Sequence, residues 1–228
     1  MVGALVGHPS CSLFQWRLNP FIMTSHLSSL SSRRLIFFSI LLLALVFRLF
    51  SISARPLWYD EAFTVLFAQT EPATMFKGTL TMIQSSAAEE HPLVYYLALN
   101  CWMKVFGQSP YAVRSFSVLL GMGILVIAYK GMKERFGDEL GLVALLFLAF
   151  SPFQIHYAQE ARMYALMTFF LLGATYALWQ GLTTHRCVWW PIFGLCSALA
   201  QYTHNLAAFF LIPLALIPLL KQSGRLPL

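Results

Sequence analysis

Long apolar runs separated by short polar stretches make up most of this chain. After Arg33-Arg34 the segment from Leu35 to Ala54 is almost wholly apolar, and further runs fall at 112–129, 140–157, 163–182, 187–203 and 205–220. Each approaches the roughly 20 residues that a helix needs to cross a bilayer. The pattern predicts an all-α polytopic membrane protein with about six membrane helices. Between the first two runs lies a longer, only partly apolar stretch, 55–111. Its piece "PLVYYLALNCWMKVFG" has about 14 suitable residues, short for a span and suited to an interfacial or re-entrant helix.

The flanks differ from this middle. Residues 1–32 are poor in charge and serine-rich toward their end, as in a poorly ordered leader, and Met23 is an alternative start. A basic pair, an apolar run and Ser51 and Ser53 also fit a signal peptide, but the runs that follow favour a retained first helix. The expected organisation is a leader at 1–32, a transmembrane domain at 33–222 with the loop 55–111, and a tail at 223–228. The end soon after the last run reads as the N-terminal portion of a longer protein.

Composition agrees with the pattern. Of 228 residues, 58% are hydrophobic and 11% charged, and the mean hydropathy is +0.67. The net charge of +6 does not indicate nucleic acid, because the basic residues lie between the apolar runs. Arg33, Arg34, Lys130, Lys133, Arg135, Arg186, Lys221 and Arg225 all fall on one side, which the positive-inside rule makes cytoplasmic. The loop 55–111 and the turns near 158–162 and 203–205 then face outward, in a multi-pass protein of the cell (plasma or inner) membrane. Cys11, Cys101, Cys187 and Cys196 form no CxxC pair and read as small apolar packers.

Few charges remain. Glu134, Asp138 and Glu139 share "KGMKERFGDEL" with basic neighbours and read as a solvated turn. Asp60 in "LWYDEAFTVLFA" fits a helix N-cap, with Glu61 favouring the positive end of that helix, or else a reaction centre. Successive helical residues point about 100° apart, so the two carboxylates need not converge on one atom. In "EEHPLVYY" the residues Glu89, Glu90 and His91 fit a charged helix start before Pro92, or a carboxylate–imidazole pair for a divalent metal or a metal-bound phosphate. In "HYAQEARMYAL" Glu160 and Tyr164 share a helical face, and Arg162 either snorkels to headgroups or clamps a phosphate. His204 in "QYTHN" is another candidate, against an ordinary hydrogen-bonded interfacial histidine.

The ordered set "LWYDEAFTVLFA", "HPLVYYLALNCWMKVFG", "YAVRSFSVLLGMG", "HYAQEARMYAL" and "QYTHN" resembles the GT-C glycosyltransferases, specifically the protein O-mannosyltransferase, aminoarabinose transferase and Rgt-type group. The likeness covers most of 34–220; His91-Pro92-Leu93 departs from the double proline that often follows this histidine in the group. It implies a GT-C-like helix bundle whose long first outer loop carries interfacial helices. It further implies inverting transfer of a sugar from a polyprenyl-phosphate donor to a glycan, lipid or protein acceptor on the outer side. Asp60 would take the acceptor proton with Glu61 as supporting carboxylate. Arg162, His91, Glu160 and His204 would attend the donor phosphate, and Glu90 with His91 a metal, the one cofactor the set suggests. Membrane lipids are expected partners and nucleic acid is not.

Two rivals stand beside this reading. A carrier would use the prolines Pro213 and Pro218 and intramembrane charge, but the charges gather at one surface, and Arg48 lies near enough the outer end of its run to snorkel. A non-catalytic membrane fragment or assembly partner is the other.

Overall fold

A computed structural model describes residues 20–80 and 92–222, and every described element is α-helical. In chain order these are α1 (Pro20–Leu49), α2 (Tyr59–Ala68), α3 (Pro72–Leu80), α4 (Val94–Phe106), α5 (Pro110–Phe136), α6 (Asp138–Phe150), α7 (Pro152–Ala158), α8 (Tyr164–Thr184), α9 (Trp189–Gln201) and α10 (Ala207–Gln222). The chain divides into two units, 1–37 and 38–228. The described part of the first is the opening stretch of α1, so helix covers the end of the expected leader, while residues 1–19 and the tail 223–228 lie outside the described residues. All that follows concerns the second unit.

The centre of that unit is α5 packed against α6 and α8, with α9 against α8. Ser109 caps α5 by accepting the Ala112 N–H at 3.2 Å, and Pro110 sits at its first turn, where a missing N–H costs nothing. Gly137, at φ 93°, ends α5 and starts α6 in one step, a backbone state that favours glycine. The α5–α6 hairpin closes tightly because Gly141 lies on Lys133: a β-carbon there would come within 3.2 Å of the Lys133 backbone. The loop helices α2 and α4 rest on the first half of α5 and the start of α8 through Val65, Tyr95, Tyr96, Leu99, Phe116 and Met163, all buried. Asn100 fastens α4 to α2 by donating to the Ala68 carbonyl at 2.7 Å, and Trp102 donates its ring N–H to the Ala112 carbonyl at 2.8 Å.

Several expectations change in detail. α5 and α8 are long and apolar enough to cross a membrane, and α6 with α7 makes a third candidate bent by 62°. The run 140–157 breaks at Ser151-Pro152, where Pro152 cannot continue the ladder of α6 and instead opens α7 under a Ser151 cap. α4 has the expected short length, 13 residues; α9 is equally short, and α10 has 16 with Pro213 and Pro218 inside it. The first run ends as helix at Leu49, not Ala54. The "KGMKERFGDEL" segment is largely exposed and turns at Gly137, with helix running through the rest of it, and Glu134 accepts hydrogen bonds from the Tyr176 hydroxyl and the Gln180 amide.

Arg48 does not snorkel. It is fully buried, donating from Nη1 to the carbonyls of Ala44 (3.2 Å) and Ala149 (3.1 Å) and from Nη2 to Leu148 (3.3 Å). The last carbonyls of α6 lose their helical partners at the Pro152 break, and the guanidinium supplies them. Gln159 returns the favour, its amide donating to the carbonyls of Phe47, Arg48 and Phe50 at the end of α1.

Candidate active site

α2 opens at Tyr59 with Trp58 as its N-cap, so Asp60 lies inside the first turn and is not the cap expected of it. Glu61 is the third helical residue, and its Oε2 accepts the Trp58 N–H at 3.4 Å, one half of a capping box. The two carboxylates then diverge, as their 100° separation requires. Each meets a different arginine.

Glu61 is fully buried. Arg114, from the first turns of α5, grips it with two bonds, Nε to Oε1 at 3.0 Å and Nη2 to Oε2 at 2.6 Å. The same Oε1 accepts the Ala161 N–H at 2.8 Å. Arg114 also donates to the carbonyls of Ile52, Arg55 and Pro56 at 2.7–3.1 Å. One ion pair thus ties the segment after α1, the start of α2, α5 and the turn after α7 into a single unit. Both charges are spent on hydrogen bonds, the condition under which burying an ion pair is tolerable.

Asp60 faces the other way, with its side chain 40% exposed. Arg162, in the turn between α7 and α8, lies against the Asp60 and Thr64 face of α2, residues one helical turn apart. Its Nη1 donates to the Asp60 carbonyl at 3.3 Å and to Thr64 Oγ1 at 3.0 Å, and Nη2 stands 3.8 Å from Asp60 Oδ2. Its Nε is buried with no hydrogen-bond partner. The guanidinium is therefore held by its edge, with the Nη2 contact to the carboxylate longer than a hydrogen bond.

Glu160 precedes α8, so it does not share a helical face with Tyr164 as expected. It pairs instead with His156 of α7, Nε2 to Oε1 at 3.1 Å. Burial pushes the Glu160 carboxyl above the usual carboxylate range, only partly opposed by His156. A cavity of about 360 Å³ opens here, lined by Arg55, Trp58, Glu61, Arg114, His156, Gln159 and Glu160 among others. His204 is buried, its Nδ1 accepting the Leu206 N–H at 3.0 Å, and a chain of rings leads from it to the cluster: Tyr164 at 5.9 Å, then Tyr157 at 5.2 Å, then His156 at 5.3 Å. Glu90 and His91 lie outside the described residues, and among those described no three His, Cys, Asp or Glu side chains gather as a metal site.

The sequence reasoning thus named Asp60, Glu61, Glu160 and Arg162, which come together from segments about 100 residues apart. It gave no role to Arg114, His156, Thr64 or Gln159. A charge at Arg114 inside the apolar run that follows Pro110 was the available signal.

Comparison with known proteins gives this arrangement a context. The family model described as dolichyl-phosphate-mannose-protein mannosyltransferase matches residues 90–227, a range that holds Arg114, His156, Glu160, Arg162 and His204 and begins after Asp60 and Glu61. "Putative mannosyltransferase YkcB" of Bacillus subtilis (strain 168) is 25% identical over 128 residues, 56% of this chain and 18% of that protein. The chain therefore spans less than a fifth of the length of that relative. No solved structure matches.

Proposed function

The chain belongs to the dolichyl-phosphate-mannose-protein mannosyltransferase family, and from that premise we propose that it is a membrane glycosyltransferase. It takes a sugar from a polyprenyl-phosphate donor and passes it, with inversion, to an acceptor hydroxyl on the extracytoplasmic side of the cell membrane. The observation that carries the reading is the meeting of a half-exposed Asp60 on α2 with Arg162 of the turn before α8.

Asp60 acts as general base. The acceptor oxygen attacks the anomeric carbon, its proton passes to the Asp60 carboxylate, and the bond from that carbon to the phosphate oxygen breaks with its electron pair staying on phosphate. A phosphate leaves already charged and needs no strong acid. It needs a fixed cation, and Arg162 supplies one; its bonds from Nη1 to the Asp60 carbonyl and Thr64 support this role. Glu61 supports the base without touching substrate, by fixing the turn that carries Ala161 and Arg162. No step is assigned to a metal at Glu90 and His91. The donor's lipid chain, the sugar, with mannose first by family, and the acceptor class complete the proposal.

Membranes carrying the chain are supplied with labelled polyprenyl-phosphate mannose and assayed for label on acceptor. The wild type transfers label, and Asp60→Asn lowers the rate by about 10²–10⁴-fold. Full transfer by Asp60→Asn removes the base from the scheme; no transfer by the wild type removes the scheme itself.

A further inference from the structure

At the other end of α5 the same helices enclose a second, very different space. A groove of about 570 Å³ runs between Ile127 and Gly131 of α5, Ala144 and Phe147 of α6, and Leu172 and Tyr176 of α8. Its walls are almost wholly apolar. Among the described residues α5 and α8 are each long and apolar enough to cross a membrane, so an apolar groove on their flank opens toward hydrocarbon and takes a hydrocarbon chain.

One charge stands at its mouth. Arg135 and Trp179 both line the groove, with the guanidinium 4.8 Å from the Trp179 ring centre and 5.5 Å from Phe136. Its charged neighbours are already engaged. Lys133 pairs with Asp138 at 2.8 Å, and Glu134 is taken up by Tyr176 and Gln180. Lys130 lies over the Tyr176 ring at 5.2 Å. Arg135 is exposed, and among the described residues it makes ring contacts with Trp179 and Phe136 but no ion pair or hydrogen bond. An apolar slot that ends in an exposed guanidinium complements an amphiphile with one hydrocarbon tail in the slot and a phosphodiester at the mouth.

We propose that this groove is a binding site for an anionic phospholipid, its acyl chain lying between α5, α6 and α8 and its phosphate on Arg135. The site is separate from the Asp60–Arg162 cluster and does not depend on the transferase reading.

The purified chain in detergent is titrated with phosphatidylglycerol and with phosphatidylcholine of the same acyl chains, and bound lipid is counted by native mass spectrometry. The wild type retains phosphatidylglycerol with about fivefold preference, the worth of one basic residue at a lipid headgroup. Arg135→Gln brings the two lipids to parity, whereas Arg135→Lys keeps most of the preference. Ala144→Phe, which fills the groove, reduces retention of both lipids. Circular dichroism checks that each variant keeps its helical content. Equal retention of both lipids by the wild type, or a preference that survives Arg135→Gln, overturns the proposal. So does tighter binding of a polyprenyl phosphate, or a dimer that binds no lipid, since each gives the groove another occupant.

Discussion

The Glu61–Arg114 pair allows a quantitative test of what holds the site together. Both side chains are almost wholly buried, at 1% and 6% exposure, and their two bonds measure 3.0 and 2.6 Å. Glu61→Leu leaves the guanidinium with only the carbonyls of Ile52, Arg55 and Pro56 and strips the Ala161 N–H of its acceptor. Stranding one member of a buried pair costs about 3–5 kcal/mol. The surviving carbonyl bonds put this variant near the lower figure, about 3 kcal/mol. For a chain of this size each kcal/mol moves the melting temperature by about 2–4 °C, so a fall of about 6–12 °C is expected. Arg114→Met strands the carboxylate on two backbone N–H groups and costs as much or more. The double variant loses both charges together and costs little more than either single one, because no unpaired ion remains. Thermal unfolding in one detergent, followed by near-ultraviolet circular dichroism, gives the full cycle. A coupling of at least about 2 kcal/mol is expected; single effects that add within about 0.5 kcal/mol would refute the reasoning.

Other consequences can be checked on the same samples. Gly141→Ala drives a β-carbon into the Lys133 backbone and lowers stability by about 1–3 kcal/mol, although alanine is the better helix former. Gly194→Ala, with open space around it, raises stability by up to about 1 kcal/mol in the same melting assay. Arg48→Met leaves the Leu148 and Ala149 carbonyls buried without a donor and costs about 1–3 kcal/mol; a melt within 1 °C of the wild type would show them satisfied otherwise. Glu160 has a raised carboxyl in the folded chain, so its contribution favours folding at acid pH and is lost as pH rises through that raised value. Glu160→Gln is therefore more stable than the wild type at neutral pH, and the gap closes below the ordinary carboxylate range; a gap that widens on acidification contradicts the sign.

Much of the site was legible because its residues are expensive where they stand. A carboxylate pair after a long apolar run and an arginine at the start of another both cost free energy in a membrane, and Asp60, Glu61, Glu160 and Arg162 stand out on that ground. Partnership was not legible. Nothing in "YAVRSFSV" says that Arg114 reaches back 53 residues to Glu61, since that pairing depends on how α5 lies against the loop helices. The length of an apolar run also proved a poor guide to its straightness: Ser151-Pro152 sits inside one and breaks it, a signal present in the residue types and hidden by their hydrophobicity. The burial of Arg48 is hidden for the same reason, because the carbonyls that hold it become acceptors only where that break occurs.

The exchange of caps between α1 and the α6–α7 break has a consequence for the order of synthesis. Arg48 and its acceptor at Ala149 are 101 residues apart, and Gln159 follows the carbonyls that it serves by 109–112. At about 5–20 residues per second, the ribosome delivers the partners of Arg48 roughly 5–20 s after Arg48 itself. For that interval a cation waits in an apolar segment whose end is uncapped, and the first helix reaches its final seat only once the third quarter of the chain has been made.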